Sequence, residues 1–99
     1  MMQQFHSESI DRMYRVIAAI HSEEECAAFF EDLCTVRELQ DMAKRLDAAI
    51  LMDSGLSYQE ISERAGISTA TISRVSKNVN YGCGGFRTVL DRLRAEEET

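Results

Sequence analysis

The stretch LSYQEISERAGISTATISRVSKNV, residues 56–79, has the pattern of a helix-turn-helix. Ser57 is followed three residues later by Glu60, and this spacing predicts a capping box at the start of a first short helix. Gly66 then supplies the left-handed backbone conformation that a sharp turn needs. Ser68 predicts the N-cap of a second helix. Two helices joined in this way pack on apolar side chains, so the stretch indicates an all-α fold.

Apolar side chains recur along these two helices at helical spacing, so each helix has an apolar face and a polar face. The positions that face inward are apolar: Ile61, Ala65, Ile67, Ile72, Val75 and Val79. The outward positions of the second helix are Thr69, Thr71, Ser73, Arg74 and Lys77. No acidic residue occurs between Ser68 and Asn80. Hydroxyl groups and cations reach base edges and phosphates in a major groove, so the pattern predicts a DNA-binding helix. An ordinary helical hairpin, in which Gly66 only ends a helix, is the alternative.

The net charge of the chain is −6, but the charges are unevenly distributed. Residues 57–94 carry six cations and three acids, whereas residues 1–56 carry five cations and eleven acids. Charges act within a Debye length of about 8–10 Å, so the local field decides DNA binding. The acidic composition therefore does not exclude DNA as a partner, although an excess of three positive charges predicts weak binding by a monomer.

Helical spacing extends along the rest of the chain, and strand-type alternation is absent. We expect about six helices in one domain over residues 1–99. The first helix runs from about Ser9 to His21, the second begins at a cap at Ser22, and the third runs from a cap at Thr35 to Ser54-Gly55. The fourth runs from Tyr58 to Arg64, the fifth from Ser68 to about Asn78, and the sixth from about Phe86 to Ala95. The helix-turn-helix occupies residues 57–79, and we expect helices over about 9–54 and 86–95 to form a dimer.

Several other classes of protein find no support in the sequence. No apolar run approaches the roughly 20 residues that span a membrane, and no signal peptide is evident, so we expect a cytoplasmic protein that does not bind membranes. Cys26, Cys34 and Cys83 form no CxxC pair, and His6 and His21 add no metal-ligand spacing. No nucleophile has a histidine suitably placed as its base. We therefore expect no metal site, no catalytic residues and no enzymatic activity.

The apolar residues outside the helix-turn-helix exceed what one small chain can cover. We expect five of them to lie in a core or interface that two chains build: Phe29, Phe30, Leu33, Met42 and Leu46. A homodimer would also place two recognition helices about one DNA turn apart, as a palindromic operator requires. A compact monomeric bundle is the alternative.

The order of the elements resembles that of the tryptophan repressor family. The segment ELQDMAKRLDAAILMDSGLSYQEISERAGISTATISRVSKNVNYG, residues 38–82, is similar to the YerC/YecD branch of Trp-repressor-like proteins, with ATISR and LSYQEI as its most specific pieces. The resemblance covers about residues 10–95. It implies an intertwined all-helical homodimer that represses transcription at a palindromic operator. Its DNA-facing positions correspond to Gln59, Thr69, Ala70, Thr71, Ser73 and Arg74, to which the helix pattern adds Ser68 and Lys77.

The same resemblance bears on a small-molecule ligand. In the tryptophan repressor the indole ring lies between two arginines, whose positions correspond to Arg45 and Arg74. The residue after the second arginine is a glycine there, whereas this chain has Val75, whose branched side chain would fill the space of the ring. We therefore expect no cofactor, with tryptophan or another small effector at Arg45 and Arg74 as the alternative.

Taken together, these patterns predict a sequence-specific regulator of transcription. We expect a repressor that binds double-stranded operator DNA as a dimer. The alternative is an adaptor that uses its helix-turn-helix to bind another protein. Salt-dependent binding to random duplex DNA distinguishes the two, because counterion release accompanies every phosphate contact.

Overall fold

The computed structural model describes residues 6–98, and these residues form six α-helices and no strand. The helices are α1 (Glu8–Ala18), α2 (Glu23–Leu33), α3 (Val36–Asp53), α4 (Tyr58–Ala65), α5 (Thr69–Tyr81) and α6 (Gly85–Glu97). The predicted all-α class and the order of helices are confirmed. No helix among these residues combines the length and the apolarity needed to cross a membrane.

The described chain divides into two compact units, residues 6–41 and residues 42–98. The first unit contains α1, α2 and the start of α3, and the second contains the remainder of α3 with α4, α5 and α6. The predicted single domain over residues 1–99 stays a prediction.

In the unit of residues 6–41, short-range caps define the helix starts. Ser22 accepts the backbone N–H of Glu25 at 3.1 Å at the start of α2. At the start of α3, Thr35 and Glu38 form the reciprocal capping box that their spacing predicts, at 3.1 and 2.8 Å. The backbone N–H of Thr35 donates to the Glu38 carboxylate, and this bond lowers the pKa of Glu38 from its ordinary value.

The same unit has apolar side chains but no fully buried residue. Phe29 and Phe30 pack edge to face, with ring centroids 5.6 Å apart, and both are half-buried. Leu33 and Val36 are 51% and 71% exposed. These residues therefore leave apolar surface that a single chain does not cover.

The core of the unit of residues 42–98 lies where α3, α4, α5 and α6 meet. Its buried members are Ala48, Ala49, Ile61, Ala65, Ile72, Val75 and Leu90. Four of the six positions predicted to face inward are among them, and the other two, Ile67 and Val79, are half-buried against the core. The inward pattern of the helix-turn-helix is therefore confirmed.

The connection from α3 to α4 is a Schellman turn. The N–H of Leu56 donates to the carbonyl of Leu51 at 3.3 Å, and that of Gly55 donates to the carbonyl of Met52 at 3.0 Å. Gly55 has a φ of +88°, which an L side chain rarely adopts. Leu51 and Leu56 both pack against the core, so the turn fixes the direction in which α4 begins.

Several helix ends differ from the expected positions. α1 ends at Ala18, three residues before His21. The N–H groups of Ala19 and Ile20 bond to carbonyls three residues back, and the N–H of His21 donates to the Glu25 side chain at the start of the next helix. α5 continues three residues past Asn78 to Tyr81, and α6 extends to Glu97. The starts of α1 to α5 carry side-chain caps, whereas these ends carry no comparable sequence signal.

Candidate nucleic-acid interface

The angle between α4 and α5 is set by a turn with two specific features. Gly66 adopts the left-handed conformation, with φ of +71° and ψ of +36°. The hydroxyl of Ser62 donates to the carbonyl of Ile67 at 2.6 Å, which ties the last turn of α4 to the residue after the turn. Helical spacing alone does not predict this bond between Ser62 and Ile67, which becomes evident only in the structure.

The start of α4 carries the capping box predicted from Ser57 and Glu60. The Ser57 hydroxyl oxygen accepts the N–H of Glu60 at 3.2 Å, and the Glu60 carboxylate accepts the N–H of Ser57 at 3.3 Å. Ile61 and Ala65 then face the core. The first helix of the pair is therefore fixed by its cap, its buried side chains and the turn that ends it.

The N-terminus of α5 is capped by Ser68. Its side-chain oxygen accepts the N–H of Thr71 at 3.2 Å and lies 3.1 Å from the Thr71 hydroxyl oxygen. Thr71 is half-buried, whereas Ser68 is exposed. Thr71 was predicted to face outward; the structure makes its hydroxyl part of the cap, so this side chain is less accessible than its neighbours.

The remaining predicted DNA-binding residues share one property, which is exposure to solvent. They are Gln59 on α4 and Thr69, Ala70, Ser73, Arg74 and Lys77 on α5. Ile72 and Val75 alternate with them and are buried, so α5 has an apolar inner face and a polar outer face. We call α5 the recognition helix from here on.

The recognition helix carries two cations and no acidic residue. Arg74 and Lys77 lie three residues apart, about one turn, and neither forms an ion pair with any residue that the structure describes. Their charges are therefore available to an anionic partner.

Two other cations of the same region are already paired. Arg87 and Arg94 on α6 bind the two carboxylate oxygens of Asp53, at 2.9 and 2.5 Å. The hydrogen bond to Asp53, and to a smaller extent the one to Asp91, raises the pKa of Arg87 above its ordinary value. The excess of three positive charges over residues 57–94 therefore overstates the charge that DNA would meet. This pairing could not be predicted from the sequence, because its bonds join residues 34 and 41 positions apart.

The two arginines at the positions that resemble a ligand site are both exposed. Neither Arg45 nor Arg74 has an ion-pair partner among residues 6–98. Val75 is 3% exposed and belongs to the hydrophobic core. Its side chain therefore lies on the inner side of the recognition helix, next in sequence to Arg74.

Other features of the surface are shallow or chemically unspecific. A small cleft between the end of α3 and α6 is lined by Ile50, Asp53, Ser54, Leu90, Leu93, Arg94 and Glu97. A second depression lies at the connection between α5 and α6, where Cys83 is exposed. The part of the chain that the structure describes contains no group of three or more metal-ligating side chains.

Comparison with known proteins identifies the family. The family model of the Trp repressor protein matches residues 8–94. The uncharacterized protein YerC of Bacillus subtilis (strain 168) is 38% identical over 96 residues, which cover 97% of this chain and 92% of YerC.

Solved structures show the same relationship. The crystal structure of a candidate Trp repressor from Staphylococcus aureus is 37% identical and superimposes with a TM-score of 0.84, covering 90% of this chain and 89% of that one. The crystal structure of a TrpR-like protein from Eubacterium eligens ATCC 27750 is 34% identical with a TM-score of 0.83, covering 88% and 90%. The chain belongs to the Trp repressor family, a family of helix-turn-helix DNA-binding regulators and not of enzymes.

Substitution of two glycines by alanine tests the left-handed turn between α4 and α5. A Cβ added at Gly66 or at Gly85 would meet no atom within 4 Å, but only Gly66 has a left-handed backbone. Gly66→Ala is expected to lower the free energy of unfolding by about 1–2 kcal/mol. Gly85→Ala, at the first residue of α6, is expected to raise it by up to about 1 kcal/mol. Urea unfolding followed by circular dichroism measures both, and shifts of the same sign would contradict the assignment of the turn.

Proposed function

We propose that this member of the Trp repressor family is a sequence-specific repressor that binds a palindromic operator as a homodimer. The observation that carries the proposal is the outer face of the recognition helix. That face holds hydroxyl groups, one methyl group and two unpaired cations, with no acid between Ser68 and Asn80. Such a face can contact both the base edges and the flanking phosphates of a major groove.

The side chains of this face fall into two roles. Thr69, Ala70 and Ser73 are short and exposed, and they lie in the first two turns of the recognition helix, which is the part that points into the groove. The methyl group of Ala70 suits a thymine methyl, and the hydroxyl groups of Thr69 and Ser73 can donate or accept at base edges. Lys77 lies farther along the helix, where a long cation suits a phosphate.

Ser68, Thr71 and Gln59 complete the proposed interface in supporting positions. Ser68 and Thr71 hold the N-terminus of the recognition helix together, so they fix the direction in which Thr69 and Ala70 point. The exposed Gln59, at the second residue of α4, suits a phosphate next to the groove.

The proposal of a homodimer is supported by the apolar surface that one chain leaves uncovered. Of the five residues expected in a shared interface, Leu33 and Leu46 are 51% and 42% exposed. Phe29, Phe30 and Met42 are only half-buried. Burial of apolar surface contributes about 25 cal/mol per Å², so a second copy that covers these side chains would gain substantial stability.

A salt titration tests whether DNA is the partner. Lys77→Ala is expected to weaken binding to every duplex alike and to reduce the slope of log K against log salt by about 0.9 per chain, because one phosphate contact is lost. Arg12→Ala, which removes an exposed cation from α1, is the control and should leave the slope unchanged. Binding to random duplex that does not depend on salt would contradict DNA binding and favour a protein-interaction adaptor.

A charge placed on α2 tests the dimer. Leu33→Lys is expected to shift the protein from dimer to monomer in sedimentation at micromolar concentration, because the lysine would be buried against the second copy. In an isolated chain the same change at a half-exposed position should alter the free energy of unfolding by no more than about 0.5 kcal/mol. Glu31→Lys adds the same side chain on the opposite face of α2 and should leave the dimer intact. A wild-type protein that sediments as a monomer would contradict the proposal.

The buried Val75 generates a test of ligand control. We propose that operator binding does not require tryptophan, because a ring at Arg74 would have to displace a side chain that packs in the core, and overpacking costs about 1–3 kcal/mol. Calorimetry with millimolar tryptophan is expected to show no heat of binding to the wild type. Val75→Gly opens the space but should lower the free energy of unfolding by about 2 kcal/mol, so it is measured well below its melting temperature. A heat of tryptophan binding to the wild type equal to that of the Val75→Gly variant would overturn the proposal.

A further inference from the structure

Asp53, the last residue of α3, is the centre of an ion-pair cluster with α6. Its Oδ1 accepts a hydrogen bond from Arg87 Nη2 at 2.9 Å, and its Oδ2 accepts one from Arg94 Nη2 at 2.5 Å. Arg94 also donates to the backbone carbonyl of Asp53 at 3.2 Å. We call Asp53, Arg87 and Arg94 the Asp53 cluster. Every oxygen atom of Asp53 takes part in it.

The position of Asp53 is unfavourable for α3 on its own. A carboxylate at the C-terminus of a helix faces the negative end of the helix dipole, and α3 has no basic residue in its last turn. The Asp53 side chain is only 17% exposed, which removes much of its hydration. The two arginines of α6 offset both costs. The Asp53 cluster therefore holds α3 and α6 in a fixed relative position and does not stabilise α3 by itself.

The Asp53 cluster joins the two ends of the helix-turn-helix. Asp53 lies four residues before Ser57, the cap of α4, whereas Arg87 and Arg94 follow the recognition helix on α6. The hydrogen bonds span 34 and 41 residues of sequence. They connect the chain that leads into α4 with the helix that follows α5.

α6 has one side in the core and another side exposed. Leu90 is buried in the core, whereas the adjacent Val89 is 51% exposed. α6 therefore exposes apolar surface that is suited to contact with a second chain, while Asp53 joins it to the end of α3 in its own chain.

We propose that Asp53 is a positioning residue that fixes α6 relative to the recognition helix and thereby sets the distance between the two half-sites that the dimer recognises. The inference rests on the proposed function, because it requires a dimer on a palindromic operator. Without the Asp53 cluster, α6 still packs through Leu90 and Phe86. It loses its hydrogen bonds to the end of α3, however, and can tilt on these apolar contacts. Each recognition helix would then still bind its half-site, while the separation between the two helices would vary.

Duplexes with two copies of the best-bound half-site, separated by spacers that differ by one base pair, test the proposal. Each added base pair increases the separation by about 3.4 Å and rotates one half-site by about 35°. The wild type is expected to prefer one spacer, with affinity about tenfold lower when a base pair is added or removed. Asp53→Asn should reduce that difference to less than about threefold, with affinity for a single half-site within about twofold of the wild type.

Matched variants separate this role from a general loss of structure. Asp91→Asn removes a partner of the same Arg87, but within α6, so the spacer preference should stay as in the wild type. The double variant Arg87→Gln/Arg94→Gln should reproduce the flattened preference of Asp53→Asn. Thermal unfolding by circular dichroism confirms that each variant is folded at the temperature of the binding assay.

The outcomes distinguish the positioning role of Asp53 from the proposed function, which is sequence-specific binding to an operator. An unchanged spacer preference in folded Asp53→Asn would overturn the positioning role, and so would an equal loss of affinity for the single half-site. A wild type that binds a half-site specifically but shows no spacer preference would overturn this inference alone. A wild type with no sequence preference on any duplex would overturn the proposed function itself.

Discussion

The burial of Ile61 and Ile72 in one shared core is the interaction on which the rest of residues 42–98 depends. Both side chains are fully buried, one on α4 and one on α5, and Ala48, Ala49 and Leu90 of α3 and α6 complete the same core. Deletion of such a side chain to alanine costs about 2–5 kcal/mol. The total stability of a small domain is only about 5–15 kcal/mol. The angle between α4 and α5 therefore depends on a few apolar contacts.

The outer face of the recognition helix follows from that constraint. Once Ile72 and Val75 face inward, helical geometry places Thr69, Ser73 and Lys77 on the outside. The polar surface is then positioned by the core and by the cap at Ser68, and it needs no bonds of its own to stay in place. An outer face without internal partners is what an interface with DNA requires, because its hydrogen-bonding groups and charges are free to meet the partner.

The parts of the structure that could be predicted from sequence are those determined by short-range chemistry. Caps at Ser22, Thr35, Ser57 and Ser68 gave the helix starts, because each bond joins residues three apart. The end of α5 was predicted too early, since no strong stop precedes Gly82 and the Asn80 side chain bonds back to Ser76 within the helix. The Asp53 cluster could not be predicted, because its bonds join residues 34 and 41 apart. The exposure of single residues such as Thr71 likewise depends on a side-chain bond that periodicity does not describe.

The central claim is that two copies of this recognition helix bind a palindromic DNA sequence. Selection and sequencing of genomic fragments bound by the purified wild-type protein, with and without added amino acids, tests that claim most directly. The expected result is one enriched motif with two-fold symmetry, its half-sites centred about 10–10.5 base pairs apart, or a multiple of this distance, and unchanged by amino acids. Recovery of fragments without a shared motif, at yields equal to random duplex, would contradict the claim.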